Sequence, residues 1–238
     1  MVNKIINNKK GMLLSIIIPV YNEKNTILKI LEKVKNVEID KEIIIVDDSS
    51  TDGTQEILMQ IKNKDDNIKI IFREKHQGKG AAIRAALEFV NGDIVIIQDA
   101  DLEYDPNEYP KLIEPILKGE TKVVYGSRIL KKNPKSSIIF YIGGRLLSFI
   151  TNLLYGTKIT DEPTGYKVFS TDVLKSINLK CLGFEFCPEV TAKIAKKGYK
   201  IYEIPISYNP RSIKEGKKIR LKDALKAIFT LVKYKFVD

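Results

Sequence analysis

Three carboxylates fall on alternate residues just past a short apolar run: Gln98-Asp99-Ala100-Asp101-Leu102-Glu103-Tyr104-Asp105-Pro106 follows Gly92-Asp93-Ile94-Val95-Ile96-Ile97. The run reads as a buried strand, which puts the acidic side chains at its C-terminal end. Asp99 and Asp101 are two apart and in extended backbone project to one side. Two carboxylates buried side by side repel each other, and loss of water penalises their ionised forms further. A hard divalent cation relieves both costs; Mg²⁺ is commonly held by one or two carboxylates, with waters and substrate phosphates completing the shell. Glu103 adds a third oxygen donor. The plain alternative is an acidic loop that only caps a helix starting near Pro106. The apolar strand before it and a glycine-lysine turn upstream weigh against that alternative.

Other polar clusters also close strand-like runs. Leu14 to Val20 is nearly continuous and β-branched, with Pro19 expected to end its pairing, and Tyr21-Asn22-Glu23 follows. Asn25 or Thr26 is placed to cap a helix carrying Ile27, Leu28, Ile30, Leu31 and Val34. A second strand, Glu42 to Val46, ends in Asp47-Asp48-Ser49-Ser50-Thr51-Asp52-Gly53 before a helix from Thr54 to Lys62. A third, Ile68 to Phe72, leads to Arg73-Glu74-Lys75-His76-Gln77-Gly78-Lys79-Gly80 and an alanine-rich helix from Ala81 to Val90. This alternation predicts a parallel sheet covered on both faces, with ligands at the carboxyl ends of its strands. The Tyr21, Asp48, Gly78 and Asp99 clusters all lie at such ends.

Gly78-Lys79-Gly80 has neither Walker A nor dinucleotide spacing. Its amides and Lys79 face an anion, or Lys79 is a solvated lysine at a helix start. Asp48 accepts hydrogen bonds from a base or ribose, or it is a turn or N-cap aspartate. His76, the only histidine, reads as a surface residue without an orienting partner.

The chain has 238 residues, room for one large α/β domain or a domain with an extension. Forty basic against thirty acidic residues give a net charge of +10, which calls for an anionic partner: nucleic acid, a phosphorylated substrate or an anionic membrane surface. Basic segments interleaved with aromatics are absent, which argues against nucleic acid. Cys181 and Cys187 have no neighbouring histidine and read as reduced thiols. Met1 to Gly11 is polar and basic, without a signal-peptide pattern, so a cytosolic chain is expected.

Beyond residue 105 come a strand, Lys122 to Gly126, ending at Arg128, which grips phosphate or is a surface charge, and a basic loop, Lys131 to Ser137. Ile138 to Tyr155 is mostly apolar, but Gly143-Gly144, Arg145 and Asn152 argue against spanning a bilayer; it is expected as an amphipathic helix packed on the domain or lying in the membrane interface. Thr160 to Phe169 is a turn leading into a strand, and Val190 to Lys197 a helix. Ile201 to Tyr208 reads as an edge strand because of Pro205. Residues 209–218 form a basic loop, and Leu221 to Val237 a helix with Leu221, Leu225, Ile228, Phe229, Val232 and Phe236 on one side and Lys222, Lys226, Lys233 and Lys235 on the other.

Four of these motifs together, Ile18-Pro-Val-Tyr-Asn-Glu23, Ile45-Val-Asp-Asp-Ser-Ser-Thr-Asp-Gly-Thr54, Gly78-Lys-Gly-Ala-Ala82 and Gln98-Asp-Ala-Asp101, resemble the family 2 inverting glycosyltransferases of GT-A fold. The resemblance implies an α/β fold with a mostly parallel central sheet. It implies that Pro19, Tyr21, Glu23, Val46 and Asp48 line a nucleoside pocket, and that Asp99, Ala100 and Asp101 hold Mg²⁺ or Mn²⁺ and the diphosphate of a nucleotide sugar. Gln98 to Pro106, Tyr125-Gly-Ser-Arg128, Asp161-x-Pro-Thr-Gly165, Glu203-Ile-Pro-Ile206 and the Arg211 to Lys217 loop are similar to the dolichyl/polyprenyl-phosphate sugar transferase branch. In that branch Glu103 corresponds to the third metal ligand, Arg211 to the lipid-phosphate ligand with Lys217 assisting, and Arg128 to a residue beside the departing diphosphate.

The expected layout is an N-terminal tail (1–12), a catalytic domain (13–210) with its nucleotide half to about 105, and a basic loop with an amphipathic helix (211–238). The implied activity is sugar transfer from GDP-mannose or a UDP-sugar to a polyprenyl or dolichyl phosphate, with Asp101, Arg128 and Arg211 as the catalytic set and Lys79 on the donor. Many members of the branch carry paired transmembrane helices after the catalytic domain. With Asp238 as the last residue, the expected route to lipid is through interfacial helices, a small membrane partner protein, or both, on the cytoplasmic face of the membrane. Transfer to a saccharide or protein hydroxyl, and a non-catalytic nucleotide-binding scaffold, are the competing readings.

Overall fold

The computed structural model describes residues 11–62, 64–134, 137–211, 218 and 221–237. Seven strands form one sheet: β1 (Leu14–Val20), β2 (Lys41–Asp47), β3 (Ile68–Phe72), β4 (Ile94–Ile97), β5 (Val123–Ser127), β6 (Lys167–Ser170) and β7 (Ile201–Pro205). Their order is β3-β2-β1-β4-β6-β5-β7. All neighbouring pairs are parallel except those of β6, which runs antiparallel to both β4 and β5.

Isoleucine and valine fill the central strands because both faces are covered. Ile16, Ile18, Ile43, Ile45, Ile94 and Ile96 enter one core, while their neighbours Ile17, Ile44, Val46, Val95 and Ile97 enter the other. That alternation is the pleat itself, and each buried isoleucine contributes roughly 1.5–3 kcal/mol. Pro19 does not end β1: pairing with β4 stops at Ile17, but the register with β2 continues through Pro19↔Val46 and Val20↔Asp47.

The helices are α1 (Ile27–Lys35), α2 (Thr54–Ile61), α3 (Lys79–Ala86), α4 (Tyr109–Leu117), α5 (Ile138–Tyr155), α6 (Thr171–Lys175), α7 (Phe186–Lys196) and α8 (Leu221–Phe236). Thr26 is the N-cap of α1, but its hydroxyl bonds the Glu23 carboxylate (2.8 Å) instead of a backbone amide of the helix. Helix α3 starts earlier than expected and gives way to a 3₁₀ turn at Leu87–Phe89. The chain must turn at Asn91-Gly92, whose amides bond the Glu42 carboxylate (2.6 and 3.0 Å). Helix α7 begins four residues early because Pro188 falls in its first turn, where no backbone donor is needed. β7 is an edge strand that stops at Pro205, short of Tyr208. Beyond it side chains take over: Ser207 N donates to Glu108 (3.1 Å) and Tyr208 N to Asn133 Oδ1 (3.0 Å).

Helices α5, α7 and α8 pack together around Leu147, Ala192, Ala227, Leu231 and Tyr234. Helix α8 turns Ala227, Thr230, Leu231 and Tyr234 inward. Leu225, Phe229, Val232 and Phe236, the side expected from sequence to be apolar, form an exposed stripe on the opposite face. Helix α5 is built the same way: Leu147, Ser148 and Thr151 are buried, and Ile138, Ile142, Leu146, Phe149 and Leu153 are exposed. By length and composition α5 is long and apolar enough to cross a membrane.

Candidate active site

The carboxyl ends of β1, β2 and β4 open into a cavity of about 1540 Å³. Pro19, Tyr21, Glu23, Asp48, Lys79, Asp99, Ala100, Asp101, Glu103, Arg128 and Arg211 all line it. Val46 does not. Its side chain points away from Ile45, into the second core, and is fully buried. Lys217 lies outside the described residues.

Two loops, after β1 and β2, form one wall of the cavity. Asn22 and Ser49, at φ 51° and 63°, take left-handed backbone that few non-glycine residues adopt. Hydrogen bonds lock the turn: Asn22 N donates to Ser50 Oγ (2.8 Å) and Thr51 N to Asn22 Oδ1 (2.7 Å). Tyr21 stacks on His76, with centroids 3.7 Å apart and planes 20° from parallel. Asp48 is surrounded by donors: the Arg73 guanidinium, His76 Nδ1 (2.8 Å), Gln77 N (3.1 Å) and Gly78 N (2.6 Å). His76 therefore does have orienting partners, supplied by residues distant in sequence.

The Gly78-Lys79-Gly80 turn differs from the anion-cradle expectation. Gly80 N donates to Gly183 O (3.2 Å) and Ala81 N to Leu182 O (2.9 Å), so these amides face protein. The glycines are required by that close approach: a Cβ on Gly78 would lie 2.8 Å from Leu182 O, and one on Gly80 2.6 Å from Cys181 O. Lys79 reaches into the site and pairs with Asp99. Burial alone would lower its ammonium pKa, but Asp99 beside it holds it above the ordinary value.

β4 ends at Ile97, so the alternation argument does not carry through 99–103. Gln98 accepts from Tyr109 (2.6 Å) and Tyr166 (2.8 Å) and donates to Asp99 O (2.9 Å), which fixes the chain there. Gly165 packs so closely that a Cβ would sit 2.3 Å from Asp99 Oδ2. Asp101 Oδ1 accepts from Glu103 N (3.0 Å), and Oδ2 lies 3.3 Å from Arg211 Nη2. Burial, with Asp99 and Glu103 close by, pushes the Asp101 carboxyl up to about 7 although Arg211 opposes it. Glu103 turns elsewhere, accepting from Tyr208 (2.9 Å) and Arg211 N (2.8 Å). The capping role falls to Asp105, which accepts from Asn107 N (3.2 Å).

Among the described residues no three His, Cys, Asp or Glu side chains form a ready metal cluster. Asp99 and Asp101 nevertheless suit a hard cation. Both present carboxylate oxygens at the strand end, and Asp101 is buried with Asp99 and Glu103 close by.

Across the cavity, Arg128 grips Asp161 through two parallel bonds, Nε to Oδ2 at 2.7 Å and Nη2 to Oδ1 at 2.6 Å. Glu203 holds the Thr160 and Asp161 amides at 2.7 and 3.0 Å. Arg211 grips Glu23 through two bonds of 3.0 and 2.9 Å, and Lys218 reaches the same carboxylate. Burial alone would raise the Glu23 pKa, but Arg211 and Lys218 hold it below the ordinary value. Glu23, expected on the nucleoside, thus meets Arg211 and Lys218 in the structure. Sequence reasoning missed Tyr104, Tyr208, Lys218 and the 182–185 segment as site walls. Only Tyr208, just before the basic loop, and Lys218, its last residue, carry any local signal.

Residues 15–177 match the family model for glycosyl transferase family 2. The chain is 33% identical over 204 residues to the low-salt glycan biosynthesis hexosyltransferase of Haloferax volcanii, covering 83% of this chain and 48% of that protein, so it spans about half the relative's length. It is 32% identical over 233 residues to the UDP-N-acetylglucosamine–dolichyl-phosphate N-acetylglucosaminyltransferase of Methanococcus voltae, covering 88% and 91% of the two chains. It is 30% identical over 212 residues to the dolichol-phosphate mannosyltransferase of Pyrococcus furiosus, covering 87% and 59%. The fold is that of glucosyl-3-phosphoglycerate synthase from Mycobacterium tuberculosis, solved with Mn²⁺, UDP-glucose and phosphoglyceric acid: TM-score 0.79 at 20% identity, covering all of this chain and 85% of that one. Related structures of that enzyme hold Mg²⁺ or Mn²⁺ with UDP.

Proposed function

Because this chain belongs to glycosyl transferase family 2, we propose that it moves a sugar from a nucleotide sugar to a polyprenyl or dolichyl phosphate, with inversion at the anomeric carbon. One observation carries the choice of acceptor. The cavity that holds Asp99 and Asp101 is also walled by Phe140, Gly144 and Leu147 of α5 and by Ala224 and Ala227 of α8. These are the two helices whose outer faces carry exposed apolar stripes. A volume of about 1540 Å³ exceeds the ~300–1,000 Å³ of an ordinary ligand pocket and suits two substrates meeting.

The donor's nucleoside diphosphate lies along Tyr21, Asp48 and Lys79 toward Asp99 and Asp101. When bound, Mg²⁺ or Mn²⁺ on Asp99 and Asp101 neutralises the departing diphosphate. Lys79 and Arg128 add fixed positive charge on that side. A lipid phosphate has a second pKa of about 6 and is already a dianion near neutrality, so the acceptor needs no protein base. Arg211, with Lys217 assisting, orients the attacking phosphate, and Asp161 keeps the Arg128 fork in one orientation. The protein's work reduces to positioning and charge stabilisation.

The enzyme meets its lipid peripherally, on the cytoplasmic face of a membrane, by laying the α5 and α8 stripes into the interface. Lys222, Lys226 and Lys233 are exposed beside the α8 stripe and favour anionic headgroups. A small membrane protein is the alternative route. The deciding experiment offers a panel of labelled GDP- and UDP-sugars with Mn²⁺, with and without polyprenyl phosphate. Labelled polyprenyl-phosphate sugar is the expected product. Transfer to a saccharide hydroxyl but not to the lipid would overturn the reading.

A further inference from the structure

Each carboxylate at the end of β4 already carries a basic side chain. Lys79 pairs with Asp99, and Arg211 reaches Asp101. The two contacts differ in kind. Lys79 belongs to the rigid start of α3, where Ala82 N bonds Gly78 O at 3.1 Å. Arg211 comes from the far end of the sequence, and its polar partners among the described residues are carboxylates. Its guanidinium is forked onto Glu23, its backbone amide is tied to Glu103, and Nη2 stands 3.3 Å from Asp101 Oδ2.

That oxygen is the decisive atom. Asp101 Oδ1 is engaged by Glu103 N, which leaves Oδ2 as the atom Asp101 presents to a cation. A divalent ion bonded to Oδ2 at roughly 2.0–2.2 Å would face the guanidinium across one oxygen, and two positive groups at that separation repel strongly in a partly buried site. Arg211 Nε, moreover, is buried and has no hydrogen-bond partner among the described residues, so the side chain is not fully satisfied where it lies.

We propose that Arg211 and the divalent cation are alternative partners of Asp101. Loading the cation turns the guanidinium out of the Glu23–Asp101 clasp and releases it to the acceptor phosphate. The inference rests on the glycosyl-transfer reading and adds an order to it: the acceptor's phosphate ligand becomes available only after the metal has entered. Charge stays matched throughout. Asp101 exchanges one cation for another, Glu23 retains Lys218 and the Thr26 hydroxyl, and Arg211 exchanges two carboxylates for a phosphate. By linkage, metal and acceptor phosphate then strengthen each other's binding although they share no ligand.

The test measures Mn²⁺ binding by electron paramagnetic resonance on the full chain without nucleotide. Arg211→Ala is expected to bind Mn²⁺ about tenfold more tightly than the native protein, within the usual range of coupling between sites. Lys218→Ala removes an equal charge from Glu23 without touching Asp101 and is expected to change Mn²⁺ affinity much less. Arg211→Gln, which keeps the bulk and one donor, serves if the alanine variant does not fold. In the native protein Mn²⁺ is expected to tighten binding of a short polyprenyl phosphate, and in Arg211→Ala that enhancement disappears. Equal Mn²⁺ affinity in native and Arg211→Ala proteins, or an equal gain in Lys218→Ala, overturns the exchange even if sugar transfer proceeds. Absence of transfer alongside a clear Arg211-dependent gain overturns the glycosyl-transfer reading and leaves the exchange standing.

Discussion

Asp101 sits in the site without packing the core, so its removal separates chemistry from folding. Asp101→Asn is expected to abolish sugar transfer while leaving the melting temperature within about 2 °C of native, as for a substitution that makes no cavity; unchanged turnover would remove Asp101 from the machinery. Arg211→Ala is expected to reduce use of lipid phosphate by at least ~2 kcal/mol, the scale of losing a partner for a charged group, while donor affinity by calorimetry persists. Loss of donor affinity with normal acceptor use would place Arg211 on the other substrate. Glu189 is a residue that sequence did not single out. Fully buried on α7, it accepts from the Lys180 and Cys181 amides, both at 2.7 Å, and pairs with Lys193 at 2.9 Å. It therefore fixes the 180–183 segment against which Gly78 and Gly80 pack. Burial alone would raise its pKa, but the Cys181 amide, Lys193 and the Lys180 amide hold it below the ordinary 4.5. Its stabilisation is thus complete above that value and is lost as pH falls through the lower, folded-state value. Glu189→Ala is expected to cost ~3–5 kcal/mol near neutrality, as for one partner of a buried pair, with the gap in urea midpoints narrowing as pH falls below the ordinary carboxylate value of 4.5.

Elements were readable where periodicity alone decides them. β1, β3 and α5 have the ends that hydrophobic pattern and turn residues assign, and the loops after β1, β2, β3 and β4 converge on one cavity as a parallel sheet requires. The errors share a cause: a partner distant in sequence. The sequence points the amides of the Gly78-Lys79-Gly80 turn at an anion because Leu182 and Gly183, whose carbonyls take the Gly80 and Ala81 amides, are invisible from position 80. Strand spacing groups Glu103 with Asp99 and Asp101; the strand ends at Ile97, yet Glu103 still lines the same cavity while accepting from Tyr208 and Arg211 N. Val46 was given to the nucleoside pocket by motif, whereas the pleat sends its side chain into the core. Helix α8 shows the same limit: its most apolar face is exposed, and smaller residues with Tyr234 make the contact with α5 and α7. Phe229→Glu is therefore expected to leave stability within about 0.5 kcal/mol yet to weaken flotation with anionic vesicles at low salt. A large loss of stability would mean that Phe229 packs inside the protein.

Over the whole molecule, a net charge of +10 draws the protein to anionic surfaces through a field screened within ~8 Å at physiological ionic strength. Flotation is expected to fall as salt rises, with the apolar stripes sustaining a residual fraction; no flotation at any salt would leave a partner protein as the route to lipid. The antiparallel strand β6 has a different consequence, one for insertions. Because β5 and β6 are antiparallel neighbours, with Tyr125 opposite Lys167, residues 128–166 leave the sheet and return to it at adjacent points. Arg128 and Asp161 button that excursion shut near its base. It is a cassette with a fixed socket. Lengthening it between Arg128 and Asp161 costs only about 0.6 kcal/mol per doubling of the loop, provided Gly165 and Tyr166 keep their contacts with Asp99 and Gln98 at the end of β4. A chain built this way takes insertions between Arg128 and Asp161 while its seven strands keep their pairing.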